Sequence, residues 1–161
     1  MLSNFAAKAL LRPRSALLLN QLVFSQLRSF AIIRRYTPDH EWIEFNSDTR
    51  EAKIGITHYA QSELGDIVHL ELPGVGTEFI KNDGIVGIES VKTAADVYAP
   101  VSGEVIALNE NAIKDPALVN NEAESDGWMI KVHVSTEGDL EDLMDEKAYK
   151  KFVEEENKNH K

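Results

Sequence analysis

Between His40 and Val134 the chain is a succession of short runs in which apolar and polar residues alternate with a period of two, with no long helical stretch. That period is the signature of strands that bury one face, because successive side chains of a strand point to opposite sides. Val68, Leu70 and Leu72 point one way while His69 and Glu71 point the other; Trp128, Ile130, Val132 and Val134 alternate against Met129, Lys131 and His133. Turn chemistry separates the runs at Asn46-Ser47-Asp48, Pro73-Gly74-Val75-Gly76, Lys81-Asn82-Asp83-Gly84 and Pro100-Val101-Ser102-Gly103. Many short strands at close spacing predict a mostly β fold, an antiparallel sandwich or barrel. Thr57 is placed to cap a short internal helix through Tyr59, Ala60 and Leu64. After Thr136-Glu137-Gly138-Asp139, the residues Leu140, Leu143, Met144, Ala148, Phe152 and Val153 recur at helical spacing, with Lys147, Lys150 and Lys151 offering partners to the flanking acids. One or two C-terminal helices packed on the sandwich are expected there. Glu154–Lys161 has no apolar residue to anchor it and is expected to fray.

At 161 residues the chain has the size of a single domain. Its charge is uneven. Residues 1–38 contain Lys8, Arg12, Arg14, Arg28, Arg34 and Arg35 and no acid; the acidic residues begin at Asp39. A basic, acid-free head rich in Leu, Ala and Ser fits a mitochondrial transit peptide. Its apolar stretches are broken by Asn20, Gln21, Gln26 and Arg28, well short of the ~20 apolar residues of a spanning helix. Basic residues recurring to Arg34 and Arg35 argue against a secretory signal. Arg28-Ser29-Phe30-Ala31 resembles a matrix-processing site, so residues 1–30 are assigned to the leader, to within about five residues, residues 31–161 to the folded domain, and the mature protein to the mitochondrial matrix. Removal of the four basic residues in 1–30 leaves 13 Lys plus Arg against 27 Asp plus Glu, a formal net charge of −14. Such a surface repels nucleic acid and anionic lipid and favours basic partner surfaces.

Several chemistries have no sequence support. Without cysteine the chain has no disulfide, no thiol nucleophile and no thiolate metal site. His40, His58, His69, His133 and His160 show no pair at helical ligand spacing, so no metal is expected. Gly84 and Gly87 open onto no helix, as a phosphate-binding loop requires, and no Gly-x-Ser-x-Gly elbow occurs in the folded part. The chain is therefore not expected to be an enzyme.

The segment that carries the chemistry runs from Gly84 to Val105, read as strand, tight turn, strand, turn, strand. Lys92 falls at the tip of its first hairpin, followed by Thr93, Ala94 and Ala95, which are small enough to leave the ammonium accessible. Glu89-Ser90-Val91-Lys92-Thr93 followed by Ala99-Pro100-Val101-Ser102-Gly103 resembles the attachment hairpin of the lipoyl and biotinyl carrier superfamily. Biotin carriers typically place Met on both sides of the lysine, and lipoyl domains of 2-oxoacid dehydrogenase complexes have Asp-Lys-Ala. Val91-Lys92-Thr93 instead resembles the H-protein family of the glycine cleavage system. The likeness extends over Tyr36-Thr37-Pro38-Asp39-His40-Glu41-Trp42, Gly55–Gln61, Leu64–Val68, Glu71-Leu72-Pro73, Pro116–Asn120 and Asp126-Gly127-Trp128. It departs at Ala123-Glu124, where the family usually has Pro-Tyr.

The resemblance implies a barrel-sandwich hybrid whose Lys92 carries lipoate through an amide. It implies that Glu89, three residues before the lysine, and Gly103, eleven after it, help lipoate-attaching enzymes recognise their target. It further implies a shuttle. A pyridoxal-phosphate glycine decarboxylase loads the arm with an aminomethyl group, a tetrahydrofolate-dependent aminomethyltransferase unloads it, and dihydrolipoamide dehydrogenase reoxidises it. Glu41 and Asp96 stand at positions to contact the amine while the loaded arm rests against the carrier. The other roles implied for such a chain are a lipoate relay to other complexes and an unmodified adaptor of the same fold.

Overall fold

The computed structural model describes residues 31–159. The leader assigned to residues 1–30, and with it the bond after Phe30, lies outside the described residues, as do His160 and Lys161.

The strands are β1 (Ile32–Tyr36), β2 (Glu41–Asn46), β3 (Glu51–Ile56), β4 (Ile67–Glu71), β5 (Glu78–Phe79), β6 (Gly84–Ser90), β7 (Ala94–Tyr98), β8 (Gly103–Leu108) and β9 (Ile130–Val134). They form a six-stranded sheet in the order β1-β2-β3-β9-β8-β5 and a three-stranded sheet in the order β4-β6-β7. Every pairing between these strands is antiparallel. The inward residues of both sheets share one core that includes Ile43, Phe45, Ile54, Leu70, Val86, Ile88, Val97, Val105, Ile130 and Val132. Each fully buried aliphatic of this kind contributes roughly 1.5–3 kcal/mol. The expected β sandwich is therefore the observed architecture.

The internal helix, α1 (His58–Leu64), starts where Thr57 predicts it, and the Thr57 hydroxyl accepts the Ala60 N–H at 3.3 Å. Two helices of five residues, α2 (Glu110–Lys114) and α3 (Ala117–Asn121), fall in the region read as strands and turns. Neither is long enough to display a 3.6-residue repeat. Their starts are set locally, α2 by the Asn109 side chain accepting the Asn111 and Ala112 N–H groups, α3 by Pro116.

Each of the two runs read above as alternating departs from period two once, for an identifiable reason. A register shift between Ile67 and His69 turns Val68 outward, so Ile67 and Leu70 are buried while Val68 is 55% exposed. Met129 is buried beside Ile130 because β9 begins only at Ile130, and the Met129 N–H is spent on the Ile54 carbonyl.

The C-terminal region is a 3₁₀ turn over Glu137–Leu140 and one helix, α4 (Glu146–Asn159). Its buried anchor is Tyr149, while Ala148, expected inside, is exposed. The helix also continues to Asn159, into the stretch expected to fray. Two contacts explain this: Phe152 and Val153 pack against Tyr36, Trp42 and Tyr149, and Glu156 Oε2 lies 3.1 Å from His40 Nε2. Between the 3₁₀ turn and α4, Met144 exchanges two backbone hydrogen bonds with Tyr36, both 2.9 Å, joining the C-terminal segment to the end of β1.

Trp42 anchors this second cluster. It is fully buried, and its Nε1–H is shared between the carbonyls of Ile56 and Ala123, each at 2.9 Å. Arg34 covers its ring at 4.4 Å, and Gly55 faces it across the strand pair where a Cβ would stand 2.7 Å from the indole. Glu124, one of the two residues that depart from the family pattern, accepts the His58 N–H at 3.1 Å and lies 3.9 Å from Arg34. A carboxylate there ties the 122–125 loop to the start of α1 and to β1.

Candidate functional site

Val91, Lys92 and Thr93 link β6 to β7 at the tip of the hairpin. Short hairpin loops usually include a residue of positive φ. Among the described residues the non-glycine positions with positive φ are His40, Arg50 and Asn82, so none of the three loop residues adopts it. Side-chain chemistry compensates. The Ser90 hydroxyl oxygen accepts the N–H groups of Lys92 at 3.2 Å and Thr93 at 3.1 Å, while the Ser90 N–H donates to the Thr93 carbonyl at 2.8 Å.

The tip is held from the side as well. Val91 N–H donates to the Asp66 carbonyl at 2.9 Å. Lys92 is exposed, and its stem lies across Gly65, where an added Cβ would come within 3.1 Å of Lys92 Cε. Gly65 has a φ of 77° and ψ of −156°, a conformation open in practice only to glycine. Asn120 fixes this loop, donating to the Gly65 carbonyl at 2.8 Å and accepting the Ile67 N–H at 2.9 Å. The lysine therefore projects from a rigid platform.

Glu89 is exposed on the outer face of the three-stranded sheet, between His69 on β4 and Ala94 on β7. Gly103 is buried on β8 of the other sheet, paired with Val134 and Phe79. A Cβ at Gly103 would stand 2.4 Å from the His133 carbonyl oxygen and 3.4 Å from the Phe79 ring. Packing alone thus demands glycine at this position.

Glu41 is 2% exposed. Its carboxylate accepts the Thr37 hydroxyl through Oε2 and the Tyr98 N–H through Oε1 at 2.9 Å, so it caps the far end of the strand that begins beside Lys92. No cation pairs with it among the described residues. A carboxylate offers about four acceptor positions, and two are used here. Burial raises the Glu41 pKa above its ordinary value against the pull of the Thr37 and Tyr98 hydrogen bonds. Beside it is a cavity of about 120 Å³ lined by Thr37, Glu41, Lys81, Tyr98, Asp142 and Leu143 among others. Asp96 does not line this cavity; it stands exposed on β7 opposite Gly87, between Lys92 and Tyr98 in the chain.

The sign of the Glu41 shift sets a pH dependence. With the folded-state pKa above the unfolded one, the folded protein holds the proton more tightly, and stability falls as pH rises from the ordinary value of 4.5 through the raised one. Glu41→Gln, which removes the buried charge, is therefore expected to raise the melting temperature of the unmodified protein by a few degrees at pH 7. The gain should shrink to nothing near pH 4, and differential scanning calorimetry at both values reads the difference; an equal shift at both would contradict it.

Sequence reasoning missed four residues that build this region. Gly65 and Asn120 carry a weak signal, the glycine after a helix and the asparagine before a loop, and Thr37 bonds Glu41 four residues on, but Tyr149 carries none, since its partners His40 and Thr57 lie far away in the chain.

A rigid β sandwich that presents one lysine on a buttressed hairpin tip, and buries an unpaired carboxylate at the other end of the same strand, has the form of a carrier domain with a covalent arm. The family described as glycine cleavage H-protein matches residues 34–156. The glycine cleavage system H protein of Thermotoga maritima is 46% identical over 124 residues, covering 77% of this chain and 98% of that protein. That of Parvibaculum lavamentivorans is 50% identical over 120 residues, covering 74% and 94%. The crystal structure of a glycine cleavage system H protein from Mycobacterium marinum superimposes with a TM-score of 0.68 at 29% identity, covering 79% of this chain and 98% of that one. The chain belongs to the glycine cleavage H-protein family. It is a lipoyl-bearing carrier of the glycine cleavage system and not one of its enzymes.

Proposed function

We propose that Lys92 is the residue that carries lipoate, and that the carrier takes the aminomethyl group of glycine from the pyridoxal-phosphate glycine decarboxylase to the tetrahydrofolate-dependent aminomethyltransferase before reoxidation by dihydrolipoamide dehydrogenase. The observation that carries this reading is the exposed Lys92 on its fixed tip, with its stem free over Gly65. When attached, lipoate supplies a disulfide and dithiol couple able to accept and give up a one-carbon amine. The protein's own residues do the rest. Ser90, Asp66 and Gly65 orient the lysine, and the tether raises the effective concentration of the load at each partner.

Glu41 supplies a buried negative charge with spare acceptor positions and no counter-ion, the environment that favours an incoming ammonium group. Asp96 stands beside the route along β7 from the tip to that cavity. Glu89, exposed and three residues before Lys92, and Gly103, which shapes the sheet behind it, serve recognition by the lipoate-attaching enzymes.

Residues 1–30 act as a mitochondrial transit peptide, to within about five residues, and the mature carrier of residues 31–161 works in the matrix. Two observations support this boundary. The family match begins at residue 34, and Arg34 is already used in the fold, contacting Glu44 at 3.2 Å and covering Trp42. A cut at Ala31 spares both contacts, whereas one beyond Arg34 removes them. Intact-mass and peptide-mapping measurements on the protein from its native source test both halves of the proposal. A lipoyl-sized increment on Lys92 and a start near Ala31 are expected; an unmodified Lys92 in a source with working lipoylation would overturn the carrier assignment.

A further inference from the structure

We infer that Tyr149, on the C-terminal helix, is a positioning residue for Glu41: it grips the turn that presents the carboxylate and so couples α4 to the arm-binding cavity. This rests on the reading that Glu41 receives the amine.

The turn between β1 and β2 is unusual. Over residues 36–41 the Thr37 N–H donates to the Glu41 carbonyl at 3.0 Å, the Glu41 N–H donates to the Thr37 hydroxyl at 3.0 Å, and His40 takes a φ of 69°. A non-glycine residue in the left-handed region is strained and persists only where its surroundings hold it. Glu41 reaches Tyr98 because this turn aims it, and Tyr149 braces the turn from outside.

Tyr149 touches the turn on both flanks. Its ring stacks on Tyr36 at a centroid separation of 4.5 Å and an interplanar angle of 7°. Its hydroxyl lies 2.8 Å from His40 Nδ1 and 2.8 Å from Thr57 Oγ1, while the Thr57 N–H donates to the His40 carbonyl at 2.9 Å. One proton arrangement fits the two hydroxyl contacts: Thr57 donates to Tyr149 and Tyr149 donates to His40 Nδ1, which leaves Nε2 of His40 facing Glu156 Oε2 at 3.1 Å, an oxygen that accepts no hydrogen bond among the described residues. The pair of backbone bonds between Met144 and Tyr36 sets the entry to α4, and Asp142 and Leu143, just before it, form one wall of the cavity beside Glu41. The segment leading into α4 thus lines the cavity, and α4 itself, more than 100 residues from Glu41 in the chain, reaches it through the turn that Tyr149 contacts.

Tyr149→Phe keeps the stack and removes the hydroxyl. In the unmodified carrier, amide hydrogen exchange at Tyr98, whose N–H donates to Glu41, should accelerate about tenfold, the scale of one lost buried hydrogen bond, while the Met129 amide, bonded to Ile54 in the core, stays at its wild-type rate. Lys150→Ala, on the exposed face of the same helix, should change neither. A Tyr98 rate that rises no more than the Met129 rate would overturn the inference. In the loaded carrier Tyr149→Phe should also shorten the lifetime of the aminomethyl group, with lipoylation proceeding at the wild-type rate. Glu41→Gln separates the two ideas: if it leaves that lifetime unchanged, the reading of Glu41 fails while the exchange experiment still decides the role of Tyr149.

Discussion

Lys92→Arg is expected to leave the fold intact and abolish the carrier function. Arginine keeps the positive charge and a comparable apolar stem over Gly65, and an exposed substitution of this kind usually shifts stability by no more than about 0.5 kcal/mol. The guanidinium is not a substrate for amide formation with lipoate, so intact mass should show no increment. Glycine decarboxylation with the purified partner enzymes should fall by about 10³-fold, within the range by which tethering raises effective concentration. Retention of a lipoyl increment on another residue, such as Lys81 or Lys131, with activity preserved would place the arm elsewhere.

Gly103→Ala should have the largest effect on stability. The added methyl would stand 2.4 Å from the His133 carbonyl oxygen, a backbone atom of the paired strand that no side-chain rotation can move away. Overpacking of this severity costs about 3 kcal/mol, so the melting temperature should fall by roughly 10 °C. The same variant separates two roles for this glycine. A fall in melting temperature together with slower lipoylation identifies Gly103 as a residue that shapes the sheet behind the hairpin. Slower lipoylation with an unchanged melting temperature would identify a direct contact with the attaching enzyme and show that the strand pair can yield.

The β sandwich was legible because alternation is a local property. Ile43, Phe45, Val86, Ile88, Val105 and Val132 are all buried as the period of two requires. The position of Lys92 was legible for the same reason, since a hairpin of two runs flanking a short polar tip admits few other geometries. Local pattern fails where local backbone geometry departs from the ideal. The register shift at Val68 inverts one residue, and α2 and α3 are too short to show a repeat.

Other features belong to the tertiary structure. The sequence marks Glu41 as one acid among 27, and only the tertiary packing that sets residues 36–42 against Tyr149 and brings the Tyr98 N–H to its carboxylate buries it without a counter-ion. Glu154–Lys161 looks unanchored in sequence, yet Phe152, Val153 and the Glu156–His40 contact carry α4 to Asn159. Gly103 looks like one turn glycine among nine until the His133 carbonyl is placed against it. Strand period, turn chemistry and the exposed lysine follow from interactions between near neighbours, so the sequence alone determines them. The buried acid, the length of α4 and the need for glycine at position 103 arise from contacts between residues 30 to more than 100 positions apart, and these exist only once the two sheets have closed over their core.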